Sequence, residues 1–128
     1  MRLVAIAVLV LAVTACGSSS SPVYARQPSA ACLRSAGVHI APVSDLADFV
    51  AASATGGAFG ATLAKNSVTV SFGETDVDAD NIEQAYRRFH AKNVGIDDIL
   101  RRQGNAVMLW RTHPEDPDLA TITGCLKS

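Results

Sequence analysis

The sequence predicts an α+β fold in which an antiparallel sheet carries helices on one face. Residues 67–72, Ser-Val-Thr-Val-Ser-Phe, alternate polar and apolar side chains without a break, which indicates a strand with one buried face. Residues 106–110 form a continuous apolar run, typical of a strand that is covered on both faces or central in its sheet. Between these strands, apolar residues recur at helical spacing from residue 80 to about residue 92. This order of elements favours a layer of helices packed on a sheet.

The N-terminal half of the domain is predicted to contain two helices and a short strand. Ser29 is suited to cap a first helix, which Gly37 ends, and residues 38–40 then form a short strand. A second helix is expected to begin at Ser44 and to stop at Gly56, because apolar side chains fall on one of its faces. These side chains are Leu46, Phe49 and Val50.

A two-residue turn at Lys65-Asn66 would fold residues 59–72 into a hairpin. The register that follows from this turn brings together three apolar pairs on one face, as a hairpin over a core requires. The pairs are Leu63 with Val68, Ala61 with Val70, and Phe59 with Phe72.

The C-terminal half is predicted to supply two more helices around an ambiguous segment. Asp80 and Glu83 form a capping box for a helix that runs to about Lys92. Its inner face carries Ile82, Ala85, Tyr86 and Phe89. Residues 95–103 fit either one helical turn or a short strand. Asp116 then caps a last helix, and its inward side chains are Leu119, Ile122, Cys125 and Leu126.

The predicted order is a helix, then strand-helix-strand-strand-helix-strand, then a helix. Its middle has the split βαβ arrangement of ferredoxin-like folds, in which an antiparallel sheet is covered on one face. The flanking N- and C-terminal helices carry Cys32 and Cys125, so a bond between these residues would hold the two ends of the domain together.

The first fifteen residues have the composition of an export signal. Arg2 is followed by an apolar run from Leu3 to Val13, which is about half the ~20 residues that a helix needs to cross a bilayer. The residues that follow, Thr14-Ala15-Cys16, complete a segment that resembles the bacterial lipobox. The resemblance implies that Cys16 receives a diacylglyceryl group and becomes the new N terminus, anchored by two acyl chains at ~0.8 kcal/mol per buried methylene. The alternative is an ordinary secretory signal with a coincidental cysteine.

Two of the three cysteines remain once Cys16 carries lipid. In an oxidising compartment, Cys32 and Cys125 are expected to form a disulfide. Closing a loop of about ninety residues stabilises a fold by roughly 4 to 5 kcal/mol in the chain-entropy treatment. A metal or redox site at these cysteines is less favoured, because they lack a Cys-x-x-Cys spacing and a neighbouring histidine.

The chain is expected to divide into a signal peptide at 1–15, the lipidated cysteine with a flexible Gly/Ser tether at 16–28, and one α+β domain at 29–128. The segments Ala-Cys-Leu-Arg-Ser-Ala-Gly-Val, Gly-Asn-Ala-Val and Gly-Cys-Leu begin at residues 31, 104 and 124. They make the chain similar to small secreted and lipid-anchored proteins of actinobacteria. This resemblance implies a disulfide-clamped domain in the cell envelope and carries no activity with it.

The charge balance argues against nucleic acid as a partner. Beyond Arg2 the chain has ten Lys and Arg against twelve Asp and Glu, which leaves no excess of positive charge to follow phosphates. The basic residues that do cluster are Arg87, Arg88, Lys92, Arg101 and Arg102. Such a cluster is usually a solvated helix face, whereas beside a membrane it would attract anionic headgroups at ~1 kcal/mol per charge.

Three aspartates at alternate positions, Asp76, Asp78 and Asp80, resemble the start of a calcium-binding loop. The loop then fails, because Asn81 and Arg87 stand where a glycine and a bidentate glutamate are needed. We expect these acids to stabilise the N terminus of the following helix through its dipole instead.

The histidines and serines give no support to a catalytic or metal site. His39, His90 and His113 have none of the spacings that metal sites share, and no Gly-x-Ser-x-Gly motif accompanies a possible Ser-His-Asp set. No catalytic, metal or cofactor residue is therefore assigned, and Trp110 is expected in the core rather than on a binding surface.

We expect a non-enzymatic binding or interaction module on the extracytoplasmic face of the cell membrane, with a cell-envelope protein as its partner. Its contact area would be the open sheet face or a groove beside the hairpin, and it should expose an apolar patch. The alternative is a small extracytoplasmic enzyme or metal-binding protein that uses the histidines and residues 76–80.

Overall fold

A computed structural model describes residues 22–90 and 95–128, without the side chain of His90. The predicted signal peptide with its lipobox-like segment, residues 16–21 of the predicted tether and Lys92 lie outside these ranges. The helices are α1 (Arg26–Ser35), α2 (Phe49–Ala52), α3 (Asp76–His90), α4 (Ile96–Ile99) and α5 (Asp116–Gly124), with a 3-10 turn at Val43–Asp45. The strands are β1 (His39–Pro42), β2 (Ala58–Thr62), β3 (Ser67–Phe72), β4 (Leu100–Gln103) and β5 (Ala106–Trp110). Within these ranges, no helix has the length and apolar character needed to span a membrane.

The five strands form one antiparallel sheet in the order β1-β2-β3-β5-β4, which confirms the α+β class. A split βαβ unit is present in the second half, because β3 and β4 are joined through α3 and β5 lies between them. The first half differs from the ferredoxin-like pattern, since β1 pairs directly with β2. The helix between those strands has only four residues, about 6 Å against about 17 Å for a five-residue strand. It is too short to carry the chain back along the sheet, so β2 returns antiparallel to β1.

The hairpin between β2 and β3 has a longer turn than predicted. The last paired residues are Thr62 and Ser67, so the four residues 63–66 connect the strands, and Leu63 N–H donates to Asn66 O (2.8 Å) within this turn. Ala61 then lies opposite Val68 rather than Val70. A shift of two residues keeps every side chain on its predicted face, because side chains alternate with period two. The buried Asn66 holds the turn, as its Oδ1 accepts from the backbone of Ser67 (2.9 Å) and its Nδ2 donates to Thr112 O (3.1 Å).

Both faces of the sheet are covered, whereas the sequence predicted helices on one. Ser71 and Val107 pair across β3 and β5 and are fully buried on one face, while Val70 and Met108 are buried on the other. On the first face, α3 places the Tyr86 hydroxyl 3.4 Å from Ser71 Oγ. Trp110 is 1 % exposed, as expected of a core residue, and the prediction that its strand is covered on both faces is confirmed.

The two ends of the domain are joined, as the sequence predicted. Cys32 and Cys125 form a disulfide with Cα atoms 5.4 Å apart. Ala25 N–H also donates to Lys127 O (2.7 Å), and Lys127 N–H donates to Ser29 Oγ (2.9 Å). Ser29 therefore lies inside α1 and binds the C-terminal segment instead of capping its own helix.

Helix α1 begins at Arg26, so residues assigned to the tether belong to the folded part of the chain. Tyr24 is already fixed, because its N–H donates to Asn105 Oδ1 (2.7 Å) and its carbonyl accepts from Asn105 Nδ2 (2.9 Å). Gly37, with φ of +81°, follows the helix as the predicted left-handed glycine.

The predicted second helix is broken into two short pieces. Ser44 lies in the 3-10 turn, Ala47 has a left-handed backbone with φ of +50°, and α2 begins only at Phe49. Its cap is Asp48, whose Oδ1 accepts from Ala51 N–H over 3.0 Å.

Helix α3 begins four residues before the predicted cap. Thr75 and Asp78 form the capping box, since Asp78 N–H donates to Thr75 Oγ1 (3.1 Å) and Thr75 N–H donates to Asp78 Oδ2 (3.2 Å). Asp80 lies in the second turn, where it pairs with Arg102 instead of capping the helix. Residues 95–103 contain both of the predicted alternatives, a helical turn followed by a strand.

Candidate functional site

An apolar cleft of about 310 Å³ opens between α2 and α3. Its apolar lining consists of Phe49, Val50, Ile82, Ala85 and Phe89. Phe49 and Phe89 are 59 % and 58 % exposed, although the sequence predicted both on the inner faces of their helices. Their rings meet edge to face with centroids 4.9 Å apart. Two neighbouring exposed aromatic rings mark this cleft as a candidate contact surface.

The two phenylalanines are exposed for different reasons. Since α2 is a single turn that begins at Phe49, its buried positions go to Val50 and Ala51. On α3, the core contacts are made by residues such as Ile82, and Phe89 lies in the last turn, against α2. The amphipathic pattern could not distinguish contact with the sheet from contact with a short neighbouring helix.

A buried tyrosine fixes the two walls of the cleft relative to each other. The Tyr86 hydroxyl donates to Asp48 Oδ2 over 2.8 Å, and Asp48 at the same time caps α2. Burial raises the pKa of Tyr86 far above its ordinary value, and the Asp48 carboxylate adds to this effect while the hydrogen bond with Ser71 opposes it. The hydroxyl therefore stays protonated as a donor, and the walls are held in place before any partner arrives.

One end of the cleft is polar. Thr55 Oγ1 donates to Asp78 Oδ2 (3.1 Å) and accepts from Glu74 N–H (2.9 Å). Among the side chains that line the cleft, Asp78 is the ionisable one, and it is committed to the capping box of α3. The cleft thus has an apolar floor and a polar rim, and the described residues of its lining contain no acid–base pair.

The predicted basic cluster is largely neutralised by acids of the same chain. Arg87 pairs with Glu83 (3.2 Å) and Asp97 (2.5 Å), and Arg102 pairs with Asp80 and with Glu83 (3.3 Å). These contacts, led by Asp97 for Arg87 and by Asp80 for Arg102, raise the pKa of both guanidinium groups.

The remaining members of the cluster have other surroundings. Arg101 donates to the backbone carbonyls of Asp97 and Leu100, each at 3.0 Å, while Arg88 is exposed. Asp80 thus forms an ion pair with an arginine of β4 and does not cap the start of α3. The predicted basic cluster is mostly a network of ion pairs within the chain.

The histidines do not gather in the part of the chain that the structure covers. His113 Nδ1 lies 2.6 Å from Asp98 Oδ1, and both side chains are exposed. His39 is exposed on the edge strand, and the His90 side chain is outside the covered part. Across residues 22–90 and 95–128 there is no group of three or more His, Cys, Asp or Glu side chains that could hold a metal ion.

The groove predicted beside the hairpin is partly filled. Leu46 packs on Gly60 so closely that a Cβ there would lie 2.5 Å from Leu46 Cδ2. The remaining space beside Thr62, Thr69 and Leu109 is about 260 Å³. The α2–α3 cleft, which the sequence did not indicate, is therefore the stronger candidate on the basis of its exposed aromatic rings.

No protein-family model, no curated protein and no solved structure matches this chain.

Proposed function

We propose that the protein is a lipoprotein, held on the extracytoplasmic face of the cell membrane by acylated Cys16, and that its domain is a non-enzymatic binding module. Support for the anchor comes from the lipobox-like segment that ends at Cys16. The disulfide does not itself identify a lipoprotein. It does occupy Cys32 and Cys125, which leaves Cys16 available for another use.

The observation that carries the binding proposal is the exposed Phe49–Phe89 pair in the α2–α3 cleft. Its occupant in this proposal is an apolar side chain of a cell-envelope protein, because protein interfaces place such anchors in an apolar centre within a polar rim. A volume of about 310 Å³ is at the lower end of the range for ligand pockets, ~300–1,000 Å³, and suits a side chain better than a large cofactor.

Replacing Cys16 by serine tests the anchor. In bacteria that express the full chain and are fed an alkyne-bearing palmitate, the wild-type protein should carry the label and sediment with membranes, whereas Cys16→Ser should lose the label completely. Ser18→Ala, two residues further on, is the matched control and should be labelled like the wild type. Label that persists in Cys16→Ser, or is absent from the wild type, would refute the lipoprotein assignment.

Photo-crosslinking from the cleft tests the binding module. Benzoylphenylalanine at position 89 should give a discrete protein adduct in intact cells, and Phe49→Asp should abolish it because a carboxylate would enter the apolar floor. The control is benzoylphenylalanine at Val77, which is exposed on the same helix outside the cleft. Equal adducts from both positions, or adducts with lipid alone, would contradict a protein partner at this cleft.

A further inference from the structure

A second and larger cleft, of about 560 Å³, lies between α1 and the edge strand β1. Its lining combines two arginines of α1 with an apolar floor from the sheet. The side chains that define it are Arg26, Ala30, Arg34, Ile40, Pro42 and Phe59. None of the described residues that line it is acidic, so the cleft combines positive charge with apolar surface.

The two arginines of this cleft have no counter-ion in residues 22–90 and 95–128. Neither Arg26 nor Arg34 forms an ion pair there, in contrast to Arg87 and Arg102. Arg26 is also held in position, since it lies across Gly57, where a Cβ would be only 2.8 Å from Arg26 Cδ. Two exposed guanidinium groups that line one cleft without an acid favour an anionic ligand.

The edge of β1 offers backbone groups to the same cleft. Hydrogen-bonded pairs alternate along antiparallel strands, and Leu63 N–H donates to Asn66 O. Along β2 the backbone groups of successive residues face opposite neighbouring strands, so those of Leu63 face β3 and those of Gly60, three residues earlier, face β1. Ala41, which pairs with Gly60, therefore forms its backbone hydrogen bonds with β2. Ile40, the neighbour of Ala41, therefore directs its N–H and C=O outward, on the side of β1 where residues 22–90 and 95–128 supply no further strand.

The spacing of the arginines matches an extended peptide. Arg26 and Arg34 are eight residues apart on α1, which is about 12 Å along the helix axis. In an extended chain, side chains at positions i and i+4 share a face and lie about 13 Å apart. We propose that this cleft binds an extended acidic peptide, which adds to the edge of β1 through Ile40 and places carboxylates four residues apart on Arg26 and Arg34.

The Ile40 N–H and C=O would hold the peptide extended along the edge, and the arginines would select for negative charge. The flanking positions supply no further donor, because Val38 N–H donates to Leu33 O and Pro42 has no N–H. An anionic lipid headgroup or inorganic phosphate could engage a guanidinium group but would leave the Ile40 backbone groups unused. The site is independent of the α2–α3 cleft and of lipidation at Cys16.

Fluorescence anisotropy with the labelled peptide Ser-Glu-Val-Thr-Val-Glu-Ser tests the proposal on the full chain in nonionic detergent. The peptide should bind saturably, and Arg26→Glu or Arg34→Glu should each weaken binding at least about tenfold, because each reverses an exposed charge that faces a carboxylate. Arg88→Glu, an exposed arginine of α3 that does not line this cleft, should leave affinity unchanged. The same peptide with lysine in place of glutamate should not bind.

Hydrogen exchange distinguishes strand addition from simple charge attraction. Bound peptide should slow exchange of the Ile40 amide, whereas phosphate or phosphatidylglycerol added to the micelles should neither slow that amide nor displace the peptide at equal concentration. The proposal is overturned if the acidic peptide fails to bind, if the two arginine reversals leave its affinity intact, if the Ile40 amide is not protected, or if phosphatidylglycerol displaces it.

Discussion

Replacing both Cys32 and Cys125 by alanine should lower the free energy of unfolding by about 4 to 5 kcal/mol. The bond joins residues 93 apart in sequence, so its loss releases a long loop and raises the conformational entropy of the unfolded chain. Small domains have total stabilities of about 5–15 kcal/mol, and the variant should therefore be close to its unfolding midpoint near 37 °C. Urea unfolding followed by the fluorescence of Trp110, the single tryptophan of the chain and a buried one, measures the change.

Chemical reduction of the wild-type chain separates the bond from the packing of its side chains. Cys125 is buried, so its replacement by alanine also removes some contact with the core, whereas reduction keeps both sulfur atoms. Ala31→Ser, at an exposed position of α1 next to Cys32, is the mutational control and should change stability by less than about 0.5 kcal/mol. A loss below about 1 kcal/mol in both the reduced chain and the double variant would show that loop closure contributes little here.

Features that depend on local chemistry could be predicted from the sequence. Gly37 ends α1 because a left-handed residue is needed there, and residues 67–72 alternate because one face of β3 meets apolar partners. The disulfide was predicted by pairing the two cysteines outside the lipobox-like segment, on the expectation of an oxidising compartment. Each of these predictions depends only on residues that are close in sequence or on the number of cysteines in the chain.

Helix starts and turns for which the sequence offers more than one suitable residue were predicted incorrectly. Ser44 and Asp80 are both acceptable caps, but the actual caps make further bonds. Asp48 also accepts from the Tyr86 hydroxyl of α3. Thr75 forms a reciprocal capping box with Asp78, which in turn accepts from Thr55. The hairpin turn has four residues rather than two because the Asn66 side chain binds the strand end at Thr112, 46 residues away. The turn propensity of the local residues does not depend on a partner so far away in sequence.

The candidate site also depends on contacts between residues that are far apart in sequence, which is why the sequence did not indicate it. The sequence pattern predicts Phe49 and Phe89 in the core, because it does not give the position of α2. It presents Arg26 and Arg34 as ordinary surface charges, because it does not show that β1 is an edge strand. One signal was available: Asp48 directly precedes an apolar pair and could have been recognised as a helix cap. It would have shortened the predicted helix and placed Phe49 at its exposed start.

Asn105 should be the most sensitive polar residue of the domain, with Asn105→Ala lowering the free energy of unfolding by about 2 to 4 kcal/mol. The side chain is 1 % exposed and makes three bonds: Oδ1 accepts from Tyr24 N–H (2.7 Å), and Nδ2 donates to Tyr24 O (2.9 Å) and Gly73 O (2.7 Å). Alanine would leave these groups without partners, at about 1–3 kcal/mol for each that stays buried.

The isosteric variant Asn105→Asp distinguishes hydrogen bonding from loss of volume. It retains the acceptor for Tyr24 N–H but turns an oxygen toward the carbonyls of Tyr24 and Gly73, so it should be at least as destabilised as Asn105→Ala. Gln103→Ala is the matched control, because Gln103 Nε2 reaches only the Tyr24 hydroxyl (3.1 Å) and the loss should be within about 1 kcal/mol. If Asn105→Asp were as stable as the wild type in urea unfolding, the two donated bonds would be unimportant. The segment before α1 would then be held by the disulfide and the contacts of Lys127 rather than by Asn105.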